Sequence, residues 1–147
     1  MMNIDVCREI LHNEQLTCVI ADENDVLLRS SGKGILPMLE VLDLYEKQSC
    51  RPLYQADKII GKAAVIIAIH CGIREIYADV ISRTALEIAL RKGIRIEYGQ
   101  MVEMILNPSK QAEGPFEAAL HNIDEDDFGL VLDTIHATLD RMGIKYK

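Results

Sequence analysis

Seven consecutive apolar residues, Ala63 to Ile69, constrain this chain more than any other feature. The run falls far short of the ~20 residues that span a bilayer. A helix apolar on nearly every face must be packed on several sides, so this segment belongs at the centre of a layered fold. Upstream, Asp57 has the chemistry of an N-cap, and downstream Gly72 supplies a stop. The spacing therefore predicts a central helix from Asp57 to about Cys71, with Lys58 and Lys62 in its first turns.

The flanking segments supply the rest of an α/β architecture. Met2 to about Asn13 reads as a helix. Leu16–Ala21 and Val26–Ser30 read as strands joined through Asp22-Glu23-Asn24-Asp25, a hairpin. Ile35 to about Lys47 has apolar residues at helical spacing, and Pro37 in its first turn is tolerated there. Glu75–Ile81 and Ile94–Tyr98 read as strands around a helix that Ser82 caps and Gly93 ends. A strand–helix–strand crossover makes that pair parallel. Val102–Leu106 reads as a short helix, Asn107–Pro115 as a loop, and Phe116–His121 and Asp126–Met142 as terminal helices. The acid run Asp124–Asp127 fits the charged first turn of the last of these. The expectation is a three-layer α/β/α fold with a mixed sheet.

Composition narrows the function classes. The chain has 147 residues and is 49% hydrophobic, enough for one full core and a single domain over 1–147. Sixteen basic against 23 acidic side chains, a net charge of -7, argue against general nucleic-acid binding. The first ten residues carry Asp5 and Glu9 where a secretion signal needs an apolar stretch, so a cytoplasmic location without membrane association is expected. Cys7, Cys18, Cys50 and Cys71 form no C-x-x-C pair, so no zinc ribbon is expected. Cys18 and Cys71 read as small core residues. His12, His121 and His136 show no metal spacing. His70 beside Cys71 is a helix-end histidine next to a buried cysteine. Gly32-Lys33-Gly34 lacks the full phosphate-loop pattern and reads as an ordinary loop.

The hairpin, the stretch Asp57-Lys58-Ile59-Ile60-Gly61-Lys62-Ala63-Ala64, and Asp79-Val80-Ile81-Ser82 together resemble a known family. It is the bacterial and archaeal domain-of-unknown-function family eighteen-ninety-three, whose members are similar to cytidine deaminases in fold but lack their zinc site. Asn107-Pro108 and Pro115-Phe116-Glu117 resemble its third motif. The resemblance covers about Leu16 to Glu117, with C-terminal helices over about 116–142 beyond it. It implies a cytidine deaminase-like fold and, since relatives often pair, a homodimer. A zinc deaminase needs a His or Cys ligand, a glutamate two residues on, and a later P-C-x-x-C. Where those groups belong, this chain has Gly61-Lys62-Ala63 and Ser82-Arg83-Thr84-Ala85. Cys7-Arg8-Glu9 matches only the first spacing and precedes the hairpin. No metal and no cofactor are expected.

In the fold that the chain resembles, both helix starts face the cleft. A helix N-terminus favours anions, and here cations stand there instead: Lys58 and Lys62 on one helix, Arg83 on the other. A bound anion would relieve their repulsion. Gly61 would admit a ligand close to the backbone. Ser82 caps its helix, and its hydroxyl can also touch a ligand. Glu117 is either a first-turn acid or a cleft carboxylate. The expected site is Lys58, Gly61, Lys62, Ser82, Arg83 and Glu117, holding a nucleotide or a phosphate-bearing metabolite. The bland alternative has solvated cations, with Arg83 pairing to Glu87. The alternative class is a non-enzymatic interaction or regulatory domain with a filled cleft.

Overall fold

A computed structural model describes residues 1–107, 109 and 112–145. Among them run α1 (Ile4–Asn13), β1 (Cys18–Ala21), β2 (Val26–Ser30), α2 (Leu36–Glu46), β3 (Tyr54–Ile60) and α3 (Lys62–His70). Then follow β4 (Glu75–Ser82), α4 (Arg83–Arg91), β5 (Arg95–Val102), α5 (Pro115–Ala119) and α6 (Phe128–Arg141). The five strands form one mixed sheet in the order β2-β1-β3-β4-β5. β1 is antiparallel to both β2 and β3, and β3, β4 and β5 are parallel. The expected hairpin and crossover are present.

Two apolar clusters sit on opposite faces of the sheet. Ile4, Cys7 and Leu11 of α1 pack with Val19, Ala21 and Ala56. The larger cluster joins residues of α2, α3, α4 and α6 to Cys18, Ile20, Ile76 and Ala78. The sheet thus lies between α1 and a thicker helical layer. α3 is the centre of that layer. Residues Ala63 to Ala68 are all buried, as the unbroken apolar run requires. At its end Gly72 takes a positive φ of +85°, a conformation that other residues adopt only with strain. Cys18 and Cys71 are buried core thiols.

Three expectations are corrected. Asp57 is not a helix cap, because Tyr54–Ile60 is a strand and α3 begins only at Lys62, with Gly61 in the N-cap position. Asp57 and Lys58 are therefore consecutive strand residues and point to opposite faces, and Lys58 and Lys62 do not share a helix face. Val102–Leu106 is not a helix: Val102 ends β5, and Leu106 bridges to Glu113. The acid run precedes α6 rather than forming its first turn. Asp127 is its N-cap and accepts from Leu130 N–H at 3.1 Å, while Glu125 and Asp126 pair with Arg91 and Lys92. Pro108 of the expected loop lies outside the described residues.

Candidate functional site

The register of the parallel strands sets the site. Ile60 pairs with Ile81, so α3 and α4 start side by side at the carboxyl ends of β3 and β4. In open α/β sheets this end of the strands is where ligands bind. α4 starts with a local cap: Ser82 Oγ accepts from Ala85 N–H at 3.2 Å. α3 has no such side chain at Gly61. Its cap comes from fifty-five residues away, where Glu117 Oε1 accepts from Lys62 N–H at 2.9 Å.

Gly61 makes that contact feasible. A Cβ there would lie 2.0 Å from Glu117 Oε1, so the carboxylate occupies space that any other residue would fill. Lys62 completes the clamp with its side chain. Its Nζ donates to Leu120 O at 2.8 Å and Ile123 O at 2.9 Å, the carbonyls just beyond α5. One residue thus holds α5 at Glu117 by its backbone N–H and just beyond the helix by its ammonium.

The expected site residues therefore divide. Gly61, Lys62 and Glu117 meet at the α3 start. Ser82 is buried and committed to its helix. Arg83 is exposed and pairs with Glu103, not Glu87. Lys58 is exposed on β3.

Beside the α3 start opens a cleft of about 530 Å³, within the ~300–1,000 Å³ range of small-molecule pockets. Its walls are largely apolar and include Ile35, Pro37, Phe116, Leu139 and Met142. Loop 32–34, Lys58, Gly61, Asp57 and Glu117 also line it. Lys33 and Lys58 are exposed and pair with no described residue.

Asp57 is the buried charge of the cleft, only 9% exposed. It stands opposite Cys18 of β1. Its Oδ2 accepts from Gln55 Nε2 at 3.0 Å, and its Oδ1 from Ile59 N–H at 3.3 Å. The Cys18 thiol also hydrogen-bonds to the carboxyl. Gln55 is fully buried, and its Oε1 has no partner. Burial pushes the Asp57 carboxyl up to about 7, although its hydrogen bonds favour the ionised form. Burial likewise raises Glu117, against the pull of its bond to Lys62 N–H. Among the described residues no three His, Cys, Asp or Glu side chains form a metal-ligand group.

Sequence reasoning missed Asp57 as a cleft group, and with it Gln55, Cys18 and loop 32–34. The available signal was Gln55 and Asp57 two apart, polar residues on one face of a possible strand.

No curated protein sequence matches the chain. Its structure is similar to a DUF1893 family protein from Thermotoga maritima, at 20% identity and a TM-score of 0.75, over 96% of this chain and 92% of that one. The family model described as "Domain of unknown function (DUF1893)" matches residues 6–132. The chain belongs to that family.

Proposed function

We propose that this protein binds a small molecule with an apolar body in the cleft beside the α3 start. The observation that carries the reading is the cleft itself, an apolar-walled space of about 530 Å³ with a few convergent polar groups. Glu117 and Lys62 fix the position of α5, and with it the Pro115–Phe116 wall. The cytidine deaminase-like character of the fold belongs to the same proposal. It is supported by the two helix starts lying side by side at the ends of parallel strands.

A neutral probe tests the reading. Benzyl alcohol should raise the melting temperature saturably, and Met142→Lys, a change at a half-exposed wall position, should abolish the rise. No saturable rise, or one indifferent to that substitution, contradicts it.

A second reading keeps the ligand anionic, a nucleotide or phosphate-bearing metabolite. Lys33 and Lys58 favour it, since both line the cleft and neither has a described partner. At the helix starts themselves an anion would have to displace Glu117 from Lys62 N–H and Glu103 from Arg83. This reading predicts that phenyl phosphate stabilises the protein more than benzyl alcohol does, with the excess lost in Lys33→Ala/Lys58→Ala. Equal stabilisation by the two probes would sink it.

A further inference from the structure

We infer that the molecule bound in the cleft carries a cationic head, a protonated amine or amidine, held by Asp57. This rests on the cleft reading above and names the class of ligand.

Asp57 lacks a cationic partner among the described residues. It is nine-tenths buried and lines the cleft. Its carboxyl accepts from Ile59 N–H and Gln55 Nε2, and also from the Lys58 N–H and the Cys18 thiol. All four donors are neutral, so none of them supplies a counter-charge to the carboxylate. Gln55, which orients it, is fully buried with its own Oε1 unpartnered. Two such side chains on the core face of a strand are costly, and apolar residues of similar volume would serve packing better. The arrangement makes sense as a positioned acceptor whose counter-charge comes from outside the chain.

The other charges agree. Cys18 of β1 meets Asp57 directly and has Glu40 of α2 near it, and the other charged groups that line the cleft are Glu117 of α5, Lys33 of loop 32–34 and Lys58 of β3. Asp57 and Glu117 are the less exposed pair, and Lys33 and Lys58 are exposed. A cationic head set beside the less exposed acids therefore meets acceptors, and an anionic one at the same depth meets like charge. Because burial holds the Asp57 proton up to about 7, a cation binds best where that proton is lost.

Benzamidine, benzamide and benzoate share one ring and differ in charge, so calorimetric titration with the three reads the preference directly. Benzamidine should bind at least about tenfold more tightly than benzoate, the scale expected for a partly desolvated charge pair. Its affinity should rise with pH through about 7 and then level, while that of benzamide stays flat. Asp57→Asn should remove the cation preference. Benzoate binding as tightly as benzamidine, or a preference that survives Asp57→Asn, overturns the inference while leaving the cleft reading intact. No binding by any of the three removes both. Should Asp57→Asn fail to fold, the pH series on the native chain decides, and a flat profile for benzamidine overturns the inference.

Discussion

Gly61 and Glu117 act as a single structural unit. The carboxylate caps α3 only because position 61 has no side chain, and a Cβ would stand 2.0 Å from its oxygen. Gly61→Ala should therefore destabilise the fold by about 1 kcal/mol, because the carboxylate must swing away and the cap is lost. In a Glu117→Ala background the same change should cost far less, and urea denaturation of the four proteins measures that coupling. Asp57 makes a second residue-scale prediction. Its pKa is raised on folding, so the folded chain holds this proton more tightly than the unfolded one. The resulting stabilisation is present at low pH and is lost as pH rises from the ordinary carboxylate range through about 7. The loss amounts to up to about 4 kcal/mol. Asp57→Asn should lack this slope, so the difference between variant and native stability should shift toward the variant as pH rises. Parallel slopes for the two proteins would contradict the assignment.

At the level of elements, α5 is a five-residue helix tied to α3 by the N–H and the ammonium of Lys62, with Leu120 buried in the core beside it. Lys62→Met should release the Leu120 and Ile123 carbonyls, removing two charge-assisted hydrogen bonds worth roughly 1.5–3 kcal/mol each. Hydrogen exchange should then speed up over 115–123 and stay unchanged in β1, β3 and β4. The elements differ in how legible they were. The hairpin, α4 and the parallel crossover follow from local signals: alternation, a serine cap and a glycine stop. α3 was legible as a central helix, but its start was not, because its cap lies fifty-five residues away and no local rule reaches that far. β3 was hidden by its own chemistry. Asp and Lys are poor strand formers, and Gln55 and Asp57 stand at buried positions where alternation calls for apolar residues. The same departure that obscured the strand marks the candidate site.

Across the whole molecule, the charges around the cleft differ from those expected at the helix starts. The cations at the helix starts suggested a basic cleft, yet Lys62 is bound to carbonyls and Arg83 to Glu103. Of the charged groups lining the cleft, Asp57 and Glu117 are the less exposed, and Lys33 and Lys58 are exposed. Sequence could name most of these residues, but only the fold decides which partner each one meets. The central claim is that this cleft is the binding site. An amide-resolved NMR titration with benzamidine tests it most directly. The account predicts saturable shifts concentrated in residues 32–37, 57–64 and 114–117, converging on one dissociation constant. Shifts centred elsewhere, or none that saturate, would contradict it.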